Sequence, residues 1–194
     1  TATGNLKVDT INEITAAGGV TIDSVLLKDN GITATGAIDF NASSIKLDGN
    51  YPTGTSNVAL GNTALDSVAS GGSYNVAIGD AALTSLTTGD NNVAVGYIAL
   101  QDVTTGNENT AVGVGALGDT TTGNNNVALG RSAMRANTTG GSNVAIGADA
   151  LDANTTASNN VAIGRSSLGA NVLGSRNVAV GYDTLKASNP TVAS

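Results

Sequence analysis

The chain has 194 residues, of which only 3% are aromatic and 12% are charged, and both fractions are low for a globular domain. Its net charge of −7 argues against nucleic acid as a partner, because phosphate binding requires a basic face. Cysteine and histidine are absent, which excludes disulfides, the usual zinc ligands and the Ser-His-Asp triad. No apolar run approaches the roughly 18 residues of a membrane span. The composition predicts a non-enzymatic protein with no cofactor, no metal and no membrane insertion.

Residues 1–53 form a region of short alternating segments separated by Gly and Asn. These segments are residues 5–9, 19–27, 37–40 and 44–48, and their period-two alternation predicts β-strands. Four short strands would be marginally stable alone, so we expect the same strands of other chains to complete the sheet. Pro52 and Gly54 indicate the boundary with a second region, residues 54–194.

The second region is built from a 17-residue repeat. The unit reads N-V-A-[ILV]-G-x-x-A-L-x-x-x-T-T-G-x-x, and its copies begin at Asn57, Asn75, Asn92, Asn109, Asn126, Asn143, Asn160 and Asn177. Successive copies are offset by 18 in the first interval and by 17 in the other six, so we interpret the extra residue, within 69–73, as a loop insertion. A unit this short cannot enclose a core of its own, since even leucine-rich repeats need about 20 residues or more. The repeat therefore predicts an all-β, parallel β-solenoid (a β-roll) of eight coils, stacked about 4.8 Å apart into a rod roughly 40 Å long.

The alternation within each strand predicts which columns of side chains face the interior of the coil. We assign the Val and Ile columns to the interior, together with the repeated Leu. The Ala column would then face outward and form a flat surface that contacts other chains. Its members are Ala59, Ala77, Ala94, Ala111, Ala128, Ala145, Ala162 and Ala179. The Asn column is expected to form an amide ladder, and the Gly column indicates a tight turn or a close backbone approach. Because a narrow coil buries little apolar surface, we expect a cyclic oligomer.

The NVAIG repeat, with the Ala-Leu that follows it, resembles the head repeat of trimeric autotransporter adhesins. It also resembles the longer TTG-N-N-NVAIG repeats of phage tail fibres, and the 17-residue spacing and the Thr-Thr-Gly turn fit the phage version better. The opening segment GNLKVDTINEITAAGGVTIDSVLLKDNGI resembles a segment common in phage structural proteins. The resemblance implies an intertwined homotrimer in which residues 1–53 form a β-prism-like collar. No heptad run for a coiled-coil stalk is present, which is a departure from the adhesin pattern.

The function that the resemblance implies is a structural and adhesive fibre module of a tailed-phage virion, contributing to host attachment. Its partners would be other copies of the chain, other virion proteins and a host surface glycan or protein. One alternative is the head of a bacterial trimeric autotransporter adhesin, which would place the chain on the extracellular surface. A second is an ice-binding β-solenoid, suggested by the Thr-Thr pairs. A structural virion protein without receptor contact is also consistent with the sequence.

The two positions after the repeated Gly vary most among the copies, which indicates exposure. Tyr97, Arg131, Arg165 and Tyr182 lie there, and Tyr and Arg are favoured at binding hot spots. These four are the candidate receptor contacts, although a merely solvated edge would show the same variation.

The repeat also argues against a nucleotide site and a calcium site. Residues 113–118 match G-x-G-x-x-G, but a dinucleotide site needs a helix after the motif, and Gly113 is simply the repeated Gly. Calcium-binding β-rolls need an Asp at a fixed position of each turn, and no Asp column recurs here. We therefore predict no cofactor-binding and no metal-binding residues.

Overall fold

In a computed structural model, residues 55–68 and 71–186 are described, and they form a stack of coils built on one sheet. Each coil contributes a three-residue strand. The strands are β1 (Val58–Leu60), β2 (Val76–Ile78), β3 (Val93–Val95), β4 (Thr110–Val112), β5 (Val127–Leu129), β6 (Val144–Ile146), β7 (Val161–Ile163) and β8 (Val178–Val180). Coils are numbered here by their strands, and each begins at the Asn before its strand. The described residues contain no helix, and the predicted all-β parallel solenoid is confirmed.

The eight strands form one parallel sheet in the order of the sequence. Equivalent residues pair throughout, so that Ala128 lies opposite Ala145 and Leu129 opposite Ile146. Backbone bonds between coils continue beyond the strands, as where the Leu117 N–H donates to the Ala133 carbonyl at 3.0 Å. The insertion in the first interval does not disturb the pairing of β1 with β2.

The interior and exterior faces of the strands are the reverse of the sequence prediction. Seven of the eight alanines of the Ala column, which was predicted to face outward, are at most 2% exposed, and Ala59 is half-buried. The prediction of a chain-contact strip is therefore wrong for Ala59, Ala77, Ala94, Ala111, Ala128, Ala145, Ala162 and Ala179. The Leu column shares the interior with these alanines, which leaves room for little more than a methyl group at the inward strand position.

Val and Ile instead occupy the outer face of the sheet. Leu60 is 47% exposed and Val180 is 63% exposed, and the first residue of each strand is half-buried or exposed. We call these two columns the outer strip. Its members are Val58, Leu60, Val76, Ile78, Val93, Val95, Thr110, Val112, Val127, Leu129, Val144, Ile146, Val161, Ile163, Val178 and Val180.

The Leu column adopts a left-handed backbone conformation in order to fill the interior. From Leu65 to Leu185, the seven leucines and Met134 have φ between 49° and 56°. A left-handed residue with a side chain costs roughly 1–2 kcal/mol, whereas burying a Leu contributes about 1.5–3 kcal/mol. Seven of the eight side chains, all but Leu185, are fully buried, so burial offsets the backbone strain in most coils.

The predicted Asn ladder is confirmed, and it lies inside the coil. Asn126 Oδ1 accepts hydrogen bonds from the backbone N–H of Asn143 at 3.1 Å and from its Nδ2 at 3.2 Å. Asn126 Nδ2 in turn donates to the Gly140 carbonyl at 2.9 Å and to Asn109 Oδ1 at 3.1 Å. Asn126 thus satisfies a backbone N–H of the next coil and a carbonyl of its own coil, which is the condition for a buried polar group to be tolerated. The Nδ2 of Asn160 is the exception in this column, because it is buried without a hydrogen-bond partner.

The chain divides into two units, Thr1–Ile45 and Lys46–Ser194, and every described residue belongs to the second. The predicted strands of residues 1–53, the collar and the boundary at residues 53 and 54 lie outside the described residues.

Candidate functional site

The four predicted contact residues lie in one column on one edge of the solenoid. Each is the first residue after the repeated Gly, and Tyr97 and Tyr182 are 54% and 68% exposed. Arg131 and Arg165 are exposed as well. The structure brings together Arg165 and Tyr182, with the guanidinium carbon 5.9 Å from the ring centroid. Tyr97 and Arg131 are separated by a complete coil that carries Val114 in this column.

The second position after the Gly completes what we call the variable edge. These residues are half-buried or, at Gly115, buried, and all have left-handed φ values, such as 58° at Asp149. The prediction of exposure is therefore right for the first position, where seven of eight residues are exposed, and wrong for the second. The left-handed turn directs the chain back toward the interior, which buries the second position.

A groove of about 280 Å³ lies on this side of coils 4 to 6, and the sequence did not predict it. Its lining residues are Asp119, Arg131, Ser132, Arg135, Ala136, Asp149 and Asp152. Three of them follow the repeated Gly, and the other four follow the repeated Leu by one or two positions. The positions after the Leu are also variable, running from Asp66 and Thr84 to Gly169 and Lys186. That variation was the available indication of a second exposed column.

The coils fix the backbone of the groove by hydrogen bonds. The Asp119 N–H donates to the Arg135 carbonyl, and the Ala136 N–H donates to the Asp152 carbonyl, both at 3.0 Å. The Asp149 N–H donates to the Arg131 carbonyl, also at 3.0 Å. The backbone that carries the lining side chains is therefore held in place by the neighbouring coils.

The charges of the groove are only partly paired with one another. Arg131 Nη2 lies 2.8 Å from Asp149 Oδ2, but Arg135 Nε lies 3.9 Å from Asp119 Oδ1, which is too long for a hydrogen bond. Burial raises the pKa of Asp152 above its ordinary value, and the neighbouring Asp149 carboxylate raises it further. The N–H groups of Asp152 and Ala153 and the charge of Lys186 act in the opposite direction. Burial and the Asp149 charge thus disfavour the ionised form of Asp152 more than these groups favour it.

The Thr-Thr pairs divide into one inward-bonded column and one exposed column. The first Thr donates its hydroxyl to a carbonyl of the next coil, as Thr121 Oγ1 does to Thr138 at 3.1 Å. The second Thr is exposed in five successive coils, at Thr88, Thr105, Thr122, Thr139 and Thr156. Hydrogen bonding between coils therefore accounts for the first Thr column.

Other kinds of site find little support in the part of the chain that the structure describes. No three acidic side chains there come together to hold a metal ion. Gly113 follows β4, and no helix begins at the G-x-G-x-x-G stretch. No helix among these residues is long and apolar enough to span a membrane.

Comparisons with known proteins supply no relative: no protein-family model, no curated protein and no solved structure matches the chain.

Proposed function

We propose that the chain is a non-enzymatic structural and adhesive module of a tailed-phage fibre, built as a homotrimer of β-solenoids. The observation that carries this proposal is the outer strip. A sheet whose own core is complete nevertheless presents two apolar columns to solvent, and contiguous exposed apolar patches mark interaction sites.

The regularity of the strip favours another copy of the same chain as its partner. Thr110 is the only polar residue of its two columns, and the columns repeat at the strand spacing of about 4.8 Å. A second solenoid has the same spacing, so its side chains can interlock with the strip along its whole length. A cyclic arrangement gives each copy the same environment, and the resemblance to trimeric fibre proteins favours three copies.

The oligomer is tested by placing charge on the outer strip. In the double variant Leu129→Glu/Ile146→Glu, two carboxylates on paired positions would have to be buried in the interface. We therefore expect this variant to be monomeric, whereas the wild type is trimeric, as measured by sedimentation velocity. The control is Thr122→Glu/Thr139→Glu, which adds the same charge to adjacent coils in an exposed column and should remain trimeric. A wild-type chain that sediments as a folded monomer would contradict the proposal.

The location on a virion is a separate part of the proposal, and it rests on the 17-residue spacing and the Thr-Thr-Gly turn. Electron microscopy with an antibody against residues 55–186 is expected to label fibres of phage particles, and labelling of a bacterial outer surface would favour the adhesin alternative. Labelling of the fibre tip would support receptor contact. Labelling confined to the shaft or the capsid would support a purely structural role.

The exposed Thr column is the observation that favours ice binding as a second candidate. This column presents one regular row of hydroxyl and methyl groups to solvent. The first Thr of each pair adds no second row, because its hydroxyl donates to a carbonyl of the next coil. Thermal hysteresis measured on the same preparation distinguishes the candidates, since a fibre module should produce none.

A further inference from the structure

We infer that the groove of coils 4 to 6, which lies between the variable edge and the positions after the repeated Leu, binds a short neutral saccharide. Arg135, Asp119 and Asp152 hold the hydroxyls of this saccharide. The inference deepens the proposed function by naming the ligand class of its adhesive edge, and it rests on that function only for its biological role.

The groove is accessible because the repeat carries glycines beside it. Gly118 occupies the position of coil 4 that Arg135 occupies in coil 5, and Gly169 occupies it in coil 7. A Cβ atom at Gly169 would lie 3.3 Å from Asp152 Oδ1, so any side chain there would crowd the carboxylate. No side chain of coil 4 therefore covers Arg135 at this position, and no side chain of coil 7 covers Asp152.

The polar groups provide donors and acceptors close together. Arg135 and Asp119 are 55% and 51% exposed and too far apart for a hydrogen bond, so both retain hydrogen-bonding capacity. Asp152 adds another carboxyl group to the lining of the groove, and Ser132 adds a half-buried hydroxyl. A ligand that fits must donate to carboxylates and accept from a guanidinium within one small site.

Neutral polyols meet this requirement better than charged ligands do. An anion would face three aspartates, and a cation would face two arginines. Each sugar hydroxyl both donates and accepts a hydrogen bond, and adjacent hydroxyls match the paired atoms of a carboxylate or a guanidinium. The volume of about 280 Å³ lies at the lower end of small-molecule sites, roughly 300 Å³, which suits a short saccharide. No aromatic ring lines the groove, so we expect weak binding at each site and a gain from multivalency.

The test is titration calorimetry of the full chain with neutral tetrasaccharides of glucose, galactose, mannose and N-acetylglucosamine. We expect at least one to bind with a Kd of roughly 1 mM. Arg135→Gln and Asp152→Asn should each weaken that binding about tenfold, since each removes a charged hydrogen-bonding partner. Matched controls are Arg176→Gln, on another column, and Asp66→Asn, at the position of Asp152 but in coil 1; both should bind as the wild type does. Thermal unfolding of all four variants checks that the coils are intact.

Two results would overturn the inference: no binding of any neutral tetrasaccharide, or equal binding by the wild type and both groove variants. In the first case, binding of oligolysine in a parallel titration would indicate a basic protein as the partner. Sedimentation and labelling of particles do not depend on this site, so a failure here is distinguishable from failure of the fibre proposal.

Discussion

The most demanding single residues of the repeat are the glycines that follow each strand. Gly113 has a φ of +134°, and a Cβ atom there would lie 2.5 Å from the Gly130 carbonyl oxygen of the next coil. Both the backbone conformation and the coil spacing therefore require glycine. Gly115 differs although it lies only two residues away, because its φ is +66° and a Cβ atom would meet only Ile98, at 3.8 Å.

This difference predicts that the same substitution is much more destabilising at Gly113 than at Gly115. Gly113→Ala should destabilise the chain by about 3 kcal/mol or more, since it adds backbone strain to a steric clash. Gly115→Ala should destabilise the chain by only about 1–2 kcal/mol, the cost of a side chain in the left-handed region, because it adds no clash and Ala81 already occupies the same position of coil 2 with a φ of 57°. Denaturant unfolding of the two variants measures both effects, and equal destabilisation would refute the role of the close approach.

At the scale of the strand, the repeat was sufficient to predict eight parallel strands and their register, but not which face is buried. Register follows from spacing alone, because a 17-residue interval places each Asn-Val-Ala beside the next. The facing of side chains depends on how much space the coil encloses, which hydrophobicity does not report. The sequence did contain one indication: Ala is invariant in its column, whereas the outer columns exchange Val, Ile, Leu and Thr. A column that is Ala in every copy indicates that the space around it does not admit a larger side chain, rather than that it forms an exposed contact.

A second interior column changes from apolar to polar along the stack. It lies three positions after the repeated Leu, and its members are Val68, Leu86, Val103, Thr120, Asn137, Asn154 and Asn171. Asn154 Nδ2 donates to Asn137 Oδ1 at 2.9 Å, so the asparagines begin a ladder of their own. Thr120 lies between the apolar and the polar segments, and its buried hydroxyl has no hydrogen-bond partner.

Thr120→Val should therefore stabilise the chain by about 1 kcal/mol, since it removes an unsatisfied buried hydroxyl while nearly preserving shape. Val103 already occupies this position in the preceding coil. The matched control is Thr121→Val, which loses the 3.1 Å bond to the Thr138 carbonyl and should cost about 1 kcal/mol. Thermal unfolding distinguishes the two, and destabilisation by Thr120→Val would indicate that its hydroxyl has a partner.

For the molecule as a whole, the exposed first position of the variable edge was predictable, whereas the burial of the second position and the groove were not. Variation within a strict repeat identified the column of Tyr97, Arg131, Arg165 and Tyr182 as exposed. The groove requires that residues about one coil apart in sequence, such as Asp119 and Arg135 or Arg131 and Asp149, lie side by side. The coil period predicts the adjacency within each of these pairs. That both pairs line one groove requires in addition that the positions after the Gly and after the Leu face the same side, which the sequence does not show.

Because each coil bonds only to its neighbours, the solenoid should tolerate the loss of one complete coil. Deletion of residues 92–108 removes one whole repeat unit and joins Asn91 to Asn109, which restores every column. We expect a folded chain whose calorimetric unfolding enthalpy is lower by about 12 kcal/mol, at about 0.7 kcal/mol per residue.

Deletion of residues 92–99 removes only half of that unit, yet it eliminates one strand and places the remaining half-coil out of register. If stability followed chain length, the shorter deletion would be the milder one. Nearest-neighbour stacking predicts the reverse, with loss of cooperative unfolding in the shorter deletion alone.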